Sequence, residues 1–289
     1  MIARRRLPAW FAQKIPRPEA MRGMHALLRS KNLHTVCESA LCPNMGQCFM
    51  RGTATFMILG DTCTRGCTFC AVKKGIPLPP DEKEAEHVCE ATRALGLTYV
   101  VITSVTRDDL PDGGAFQFAL TIASLHDRMP DTRVEVLIPD LLGDISALSV
   151  VVQERPQVIN HNVETVPRLY ATVRPRAVYG RSLDLLSAVK DLDPGSVTKS
   201  GLMVGLGETK EEVMEVMGDL RKARCDLLTI GQYLQPSGRH HPVRSFVTPG
   251  EFAEYGRIGM EMGFAAVASG PLVRSSYRAA DLYRDAGRS

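Results

Sequence analysis

Six of the eight cysteines fall into two closely spaced triplets. Cys63, Cys67 and Cys70 have the spacing C-x3-C-x2-C, and the triplet from Cys37 through Cys42 to Cys48 has the spacing C-x4-C-x5-C. Thiolates are soft ligands that suit zinc and iron–sulfur clusters. A structural zinc site takes four ligands and a closed four-iron cluster takes four cysteines. Three thiolates therefore predict a four-iron cluster with one iron open to another molecule.

Zinc remains an alternative for both triplets. His34 lies three positions before Cys37 and is a candidate fourth ligand, and a distant histidine or cysteine would serve the second triplet. Disulfides are disfavoured for two reasons. No apolar segment follows the N-terminal arginines, so we do not expect a secretory signal, and the chain is long enough to form its own core without cross-links. The two remaining cysteines, Cys89 and Cys225, are predicted to be small buried residues.

Composition excludes several classes of protein. The chain has 289 residues, of which 44% are hydrophobic and 23% are charged, which is typical of a globular protein and not of a disordered, collagen-like or coiled-coil chain. The net charge of +3 is too small to indicate nucleic-acid binding. No apolar run approaches the ~20 residues that cross a bilayer. We therefore expect neither nucleic acid nor a membrane as a partner.

The elements that must position the cysteines begin at Ala54, where strand and helix patterns start to alternate. Six or seven β/α units without a break in composition predict an α/β fold in which one parallel sheet has helices outside, that is, a partial (β/α)6-7 TIM-like barrel. We expect an irregular N-terminal extension over residues 1–53, the barrel over 54–269 and a C-terminal tail over 270–289. Chemistry in such folds lies at the carboxyl ends of the strands, where the second triplet falls. The predicted strands after the first are Leu97–Thr103, Thr132–Ile138, Gln157–Asn162, Val197–Val204, Leu227–Gln232 and Phe264–Ser269.

The loop from Cys63 to Cys70 resembles that of the radical S-adenosylmethionine (SAM) enzymes. The resemblance implies that its three cysteines hold a [4Fe-4S] cluster whose open iron binds SAM. It also implies that the aromatic residue before the last cysteine, Phe69, lies near the adenine; the residue alone is equally consistent with core packing. The segment Asp112–Gly114 would lie against the methionine end of SAM, with helix entry as the alternative.

Two further segments are candidate SAM contacts. Gly205 and Gly207 follow a predicted strand and open a helix, and glycines there would allow the backbone to approach a ligand closely. The pattern lacks the third glycine of a dinucleotide-binding fingerprint. Asn162 and Glu164 end another strand on one side, suited to ribose or amino contacts. A tight turn and a solvated strand end are the respective alternatives.

From Leu7 to Tyr277 the chain resembles the lipoyl synthase family. The resemblance implies an auxiliary [4Fe-4S] cluster held by Cys37, Cys42, Cys48 and Ser275. Without the resemblance, a serine in this tail would be interpreted as an ordinary surface residue. A serine oxygen is a hard ligand poorly matched to such a cluster, so we interpret it as marking the iron that can leave. Arg278 stands where many relatives have histidine. The matching segments are Thr35–Cys48, Gly60–Cys70, Thr103–Gly114, His161–Thr165, Gly201–Glu208, Thr229–Pro236 and Arg274–Tyr277.

The resemblance implies a sulfurtransferase that inserts two sulfur atoms at carbons 6 and 8 of a protein-bound octanoyl-lysine. Its cofactors would be SAM and two [4Fe-4S] clusters, one binding SAM and one consumed as the sulfur source. Its partners would be the lipoyl domains of 2-oxoacid dehydrogenase acyltransferases, the glycine-cleavage H protein, an electron donor such as ferredoxin or flavodoxin, and an iron–sulfur cluster donor. The alternatives are another two-cluster SAM enzyme, such as biotin synthase or an RNA methylthiotransferase, and a non-enzymatic iron–sulfur or zinc protein.

Substrate contacts are less specified by the sequence. Leu202, Leu234 and Leu272 are candidates for an octanoyl slot, among which the sequence does not choose. The arginines at 4–6, or Arg239 with His240, could meet an acidic carrier, although a solvated tail explains the arginine run equally well. We expect His240 and His241 to be structural or docking residues. Thiolates and exposed clusters require a reducing compartment, so we expect a cytoplasmic protein.

Overall fold

The computed structural model describes residues 7–12 and 18–288, and its centre is one open sheet. The sheet has the order β1-β2-β5-β6-β7-β8-β9-β10, and seven of its strands are parallel. The strand β1 pairs antiparallel with β2, and β2 and β10 are not neighbours in the sheet, so the barrel stays open as predicted. A separate parallel pair joins β3 and β4. The strands are β1 His34–Thr35, β2 Thr55–Ile58, β3 Thr62–Cys63, β4 Lys73–Lys74, β5 Tyr99–Ser104, β6 Arg133–Leu137, β7 Val158–Asn160, β8 Val197–Val204, β9 Leu227–Gln232 and β10 Ala266–Gly270.

Helices connect the parallel strands, as the alternating pattern predicts. Two of them begin at capping boxes, in which Thr209 pairs with Glu212 and Thr248 pairs with Glu251. The helices are α1 Pro18–Ser30, α2 Val36–Ser39, α3 Met45–Met50, α4 Glu84–Ala94, α5 Ala115–Arg128, α6 Ile145–Gln153, α7 Tyr170–Val173, α8 Tyr179–Leu192, α9 Lys210–Lys222, α10 Pro249–Glu261 and α11 Ala279–Asp285, with 3-10 turns at Ala9–Phe11, Leu141–Gly143 and Pro167–Leu169. No described helix has the length and apolar character that a membrane span needs.

The N-terminal extension is more ordered than the sequence predicts. It carries α1, α2 and α3 together with β1. Met24 and Leu28 of α1 are buried in the same apolar cluster as Phe49 and Phe56. The three cysteines of the extension lie on or next to α2 and α3. Its order thus comes from packing against the first barrel strand, which the turn-rich local sequence does not reveal.

The C-terminal tail packs against two parts of the barrel. Leu282 of α11 is buried against Val158, Val197 and Leu227, which are the first residues of β7, β8 and β9. The helix therefore covers the end of the barrel opposite the predicted site. Upstream, the hydroxyl of Thr55 at the start of β2 donates to Ser276 at 2.8 Å, so the tail also contacts the first parallel strand of the sheet.

Candidate active site at the carboxyl ends of the strands

Five of the six triplet cysteines line one cavity of about 500 Å3. Cys63, Cys67 and Cys70 enter it from the loop after β2, and Cys37 and Cys42 enter it from the N-terminal extension. Cys48 lies with Cys37 and Cys42 around an adjoining cavity of about 390 Å3. All eight cysteines are free. The fold thus brings the two triplets to neighbouring walls of one space.

The loop of Cys63 is held by a buried arginine that lies within it. The backbone N–H of Arg65 donates to Cys63 Sγ at 3.4 Å. Its guanidinium donates to both carboxylate oxygens of Asp108, at 2.8 and 2.9 Å, and to Asp140 at 2.5 Å. Burial by itself raises the pKa of Asp140, but the hydrogen bond and charge of Arg65 outweigh it and lower that pKa to about 2. Such charge-assisted, bidentate contacts fix the loop geometry.

Burial raises the pKa of most thiols in the site. For Cys70 the pKa is raised to about 12, and for Cys67 it is raised although the positive charge of Arg174 lowers it in part. In the extension, burial raises the pKa of Cys37 to about 12, opposed by hydrogen bonds from Thr55. Metal binding to buried thiols therefore has to be coupled to release of their protons.

The donor set fits iron–sulfur clusters better than single metal ions. Among the described residues no group of three His, Cys, Asp or Glu side chains is arranged to hold one metal ion, and His34 is absent from the lining of both cavities. Thiolates that bind different irons of a cluster need not converge on one point. Hydrogen bonds to sulfur, such as those to Cys63 and Cys37, are also the contacts that tune such clusters.

Ser275 lies on the wall of the larger cavity, inside the barrel. Its hydroxyl donates to Asn162 Oδ1 at 2.9 Å and accepts from Asn160 Nδ2 at 2.7 Å. The next residue, Ser276, borders both cavities and accepts from Thr55, which also bonds to Cys37. To ligate iron, Ser275 would therefore have to give up its hydrogen bonds to Asn160 and Asn162. Ser276 is instead connected to the Cys37 sulfur through hydrogen bonds of a single intervening residue, Thr55.

Asn162, Glu164 and Phe69 all line the cavity. Asn162 donates to Glu164 at 3.0 Å, and Glu164 has a φ of 64°. A left-handed backbone at a bulky residue is strained, and such strain concentrates at functional sites. Burial raises the pKa of Glu164, and Arg174 and Asn162 lower it in part. Phe69 also packs against the buried apolar cluster that contains Leu202 and Tyr233, so its position is consistent with both core packing and a place in the cavity wall.

The glycines at 205 and 207 do not line the cavity. Gly205 has a φ of 96°, and its N–H donates to the carboxylate of Glu208 at 2.5 Å. A Cβ at this position would lie 2.6 Å from the Ser245 carbonyl. The close approach that requires glycine is therefore to the chain's own backbone. Gly201 lies in the cavity wall instead, and a Cβ there would lie 2.5 Å from Asn162 Oδ1.

The segment Asp112–Gly114 is likewise absent from the cavity lining. The carboxylate of Asp112 accepts hydrogen bonds from the N–H groups of Gly114 and Phe116, at 2.9 and 2.7 Å. These contacts satisfy the free N–H groups at the start of α5. Helix entry, rather than contact with SAM, is the role that these bonds support. The cavity is lined instead by Ser104 at the end of β5 and by Val105 and Thr106 after it.

Arg174 is a site residue that the sequence analysis missed. It is buried, and it donates to the carbonyl oxygens of Asn162 and Val163 at 3.0 and 3.1 Å. No acceptor among the described residues reaches its Nε, and the cavity-lining hydroxyl of Ser104 is also unpartnered. Unpaired buried polar atoms in a cavity wall fit a polar ligand such as SAM. No local motif surrounds Arg174, so only the fold identifies it.

A second missed feature lies deeper in the barrel. Lys199 and Glu135 are fully buried and form an ion pair at 2.8 Å. Glu135 also accepts from Tyr99 at 2.7 Å and from Asn160 Nδ2 at 3.3 Å. Since Asn160 donates to Ser275, this polar group supports the residue that holds the tail serine.

Other residues singled out in the sequence lie partly inside and partly outside the cavity. Leu202 and Leu234 line the cavity, and Leu272 does not. His241 Nε2 donates to the Leu206 carbonyl at 2.9 Å, a bond within the fold, while Arg239 is exposed. The arginines at 4–6 lie outside the described residues. Arg278 precedes α11 with a φ of 53°, and its exposed side chain pairs with Asp281 at 2.6 Å. Cys89 and Cys225 are buried, as predicted.

Comparison with known proteins identifies the family of this arrangement. Residues 57–220 match the model of the radical SAM superfamily. The chain is 60% identical over 274 residues to a lipoyl synthase of Caldanaerobacter subterraneus subsp. tengcongensis, covering 95% of this chain and 96% of that relative. It is 53% identical to a lipoyl synthase of Rubrobacter xylanophilus, covering 97% of this chain and 88% of the relative.

Solved structures support the fold alone. The structure of HydG, a maturase of the [FeFe]-hydrogenase, matches with a TM-score of 0.55 at 12% identity and covers 85% of this chain and 62% of that one. Methylornithine synthase matches with a TM-score of 0.54 at 15% identity, covering 66% and 55% of the two chains. At such low identity the likeness concerns the open parallel barrel and its helices.

Proposed function

This chain belongs to the lipoyl synthase family within the radical SAM superfamily, and from that premise we propose how its residues carry the reaction. The reaction is the insertion of two sulfur atoms at carbons 6 and 8 of an octanoyl group held in amide linkage by a lysine of a lipoyl carrier protein. The observation that carries the proposal is the meeting of two cysteine triplets around adjoining cavities.

Each cysteine triplet would hold one of two [4Fe-4S] clusters, and the two clusters have different roles. Cys63, Cys67 and Cys70 would hold the cluster that binds SAM, and the N-terminal cysteines with Ser275 would hold the auxiliary cluster. When bound, the first cluster and SAM supply a 5′-deoxyadenosyl radical for hydrogen abstraction, and the auxiliary cluster supplies sulfide. Asn162 and Glu164, with Phe69 nearby, would bind SAM. The geometry favours Gly201 and Arg174 over Gly205 and Gly207 as further contacts.

The protein's own part is positioning and exclusion of water. Arg65 fixes the first cysteine loop through Asp108 and Asp140. The tail contacts the first parallel strand, β2, through the hydrogen bond between Thr55 and Ser276. A shielded cavity keeps a reactive radical from side reactions, and fixed geometry brings the target C–H bond to it. Leu202 and Leu234 supply apolar wall for the octanoyl chain.

Partners follow from the same proposal. The acyl carriers would be the lipoyl domains of 2-oxoacid dehydrogenases and the glycine-cleavage H protein. A ferredoxin or flavodoxin would supply electrons, and a cluster donor would rebuild the consumed cluster. Free thiolates and exposed clusters favour a reducing, cytoplasmic setting.

The test is anaerobic reconstitution with iron and sulfide counting, followed by turnover with SAM, a reductant and an octanoylated carrier domain. We expect eight irons and eight sulfides per chain, with 5′-deoxyadenosine and lipoyl-lysine as products. Replacing Cys37, Cys42 and Cys48 by alanine should remove about half of the iron and abolish lipoyl formation while 5′-deoxyadenosine is still made.

The matched control for those substitutions is Cys89→Ala, which removes a buried thiol that lies away from both cavities. It should leave the iron count and both products unchanged. Inserted sulfur that carries no label from isotopically labelled cluster sulfide would contradict the proposal. A protein that never forms 5′-deoxyadenosine would contradict it as well.

A further inference from the structure

The segment Ala71–Pro80, here called the proline loop, leaves the cluster-binding loop directly after Cys70. Its first part, β4, pairs in parallel with β3, which contains Cys63. The N–H of Gly75 donates to the Cys63 carbonyl at 3.2 Å, and Lys74 lines the larger cavity while remaining exposed. The base of the proline loop is therefore fixed at the rim of the active-site cavity.

The tip of the proline loop exposes two large apolar side chains. Ile76 is 96% exposed and Leu78 is 84% exposed, and no other large hydrophobic residue in the described part of the chain exceeds either value. Each precedes a proline, which restricts both residues to extended conformations. Alternate residues of an extended segment project to the same side. Clustered apolar side chains that project into water mark a surface that binds another molecule.

The prolines also lower the cost of binding. Pro77, Pro79 and Pro80 each fix their own φ near −65°, so the tip loses little conformational freedom when a partner covers it. An apolar tip held in one shape beside a cavity is what a docking contact needs. A tip that only connected β4 to α4 would need neither Ile76 nor Leu78 in water.

The charges around the proline loop restrict the kind of partner. Lys73 and Lys74 lie at its base next to the cluster-binding loop and are exposed, whereas the acidic residues Asp81 and Glu82 follow its other end, after Pro80. Arg176 is also exposed, and it donates to the Thr64 carbonyl in the cluster-binding loop at 2.8 Å. Among these cations, the Lys73 ammonium lies 3.8 Å from the Asp61 carboxylate, which is a long ion pair. This side of the rim therefore favours a partner that is acidic around an apolar centre.

We propose that the proline loop is the docking surface for the octanoylated carrier domain. The inference rests on the proposed function, in which the octanoyl-lysine arm enters the cavity while the folded domain that bears it stays outside. That domain must lie against the rim. Its apolar residues cover Ile76 and Leu78, and its carboxylates face Lys73, Lys74 and Arg176.

The experiment compares two substrates for each enzyme variant: an octanoylated carrier domain and a short peptide with octanoyl-lysine. The variant is the double substitution Ile76→Ser with Leu78→Ser. The matched control is Leu192→Ser with Met260→Ser, since those exposed apolar residues end α8 and α10 at the opposite end of the barrel. We expect the KM for the carrier domain to rise about tenfold, about 1.4 kcal/mol, in the proline-loop variant alone. Its kcat and its kinetics with the peptide should match the wild type.

Ionic strength tests the charged part of the surface. The KM for the carrier domain should increase with salt, and Lys73→Ala should weaken that increase, because screening reduces attraction between exposed charges. A carrier KM that neither the double substitution nor salt changes would overturn the proposal.

A second copy of the chain is the competing occupant of this surface. If the wild type is a dimer that Ile76→Ser with Leu78→Ser makes monomeric, the proposal is also overturned. Failure of the proposed function is distinguishable from both outcomes, because wild-type enzyme would then form lipoyl product from neither substrate.

Discussion

Replacing Lys199 by methionine should destabilise the protein strongly. Lys199 and Glu135 have fully buried side chains and lie 2.8 Å apart. Removing one member of a buried ion pair leaves the other charge without a partner, which costs about 3–5 kcal/mol. Glu135 would keep its hydrogen bonds from Tyr99 and Asn160. We therefore expect the low end of that range, about 3 kcal/mol, and a Tm lowered by about 6–12 °C.

The assay is urea unfolding of anaerobically prepared protein, followed by far-UV circular dichroism and analysed by linear extrapolation. The double substitution Lys199→Met with Glu135→Gln should recover more than half of the loss, since no charge is then left buried and unpaired. The matched control is Arg257→Met, which breaks an exposed pair between positions i and i+4. It should change the free energy of unfolding by less than about 0.5 kcal/mol.

Two results would refute this reasoning. One is a Lys199→Met protein whose free energy of unfolding lies within about 1 kcal/mol of wild type. The other is a double variant as unstable as the single one, because then the unpaired carboxylate is not the cause. Since Asn160 bonds to both Glu135 and Ser275, the electron paramagnetic resonance spectrum of the reduced auxiliary cluster should also change in Lys199→Met.

Three further predictions concern the cavity wall. Ser275→Ala should retain SAM cleavage and lower the lipoyl yield; a normal yield from purified enzyme would discard Ser275 as the auxiliary ligand. Gly201→Ala places a methyl group 2.5 Å from Asn162 Oδ1 and should displace that side chain. The Kd for SAM, measured by equilibrium dialysis, should therefore rise at least about tenfold. An unchanged Kd would show that Asn162 does not contact SAM. Its pair with Arg65 lowers the pKa of Asp140 to about 2, and this shift corresponds to about 2 kcal/mol of stability. That contribution is present above pH ~3.8 and is lost as the pH falls towards 2. Urea midpoints of Asp140→Asn that show the same loss over that range as wild type would contradict the assignment.

Several features of the fold could be predicted from local sequence. The strands β8 and β9 lie where hydrophobic runs predict them, and the two capping boxes mark the starts of α9 and α10. These features depend on neighbours within a few residues, such as the bond between Thr209 and Glu212. Cysteine spacing is local in the same sense, so both triplets are visible before any fold is known.

Features that depend on distant contacts could not be predicted in this way. The prediction of Gly205 as a SAM contact could not take account of Gln232 and Ser245, which come close to this glycine from other parts of the chain. Arg174 carries no motif and becomes a site residue only because the fold buries it against Asn162. The order of α1 likewise depends on packing against β2.

By itself, the sequence predicted which cysteines would bind iron, because thiol chemistry and spacing within a loop do not depend on the rest of the chain. It also determined the alternation of strands and helices, because hydrophobic periodicity is local. Only the tertiary structure decided that the two triplets line adjoining cavities, that Lys199 meets Glu135 across 64 residues, and that Ser275 is held by Asn160 and Asn162. Those pairings are set by the register and curvature of the sheet, which no stretch of neighbouring residues specifies.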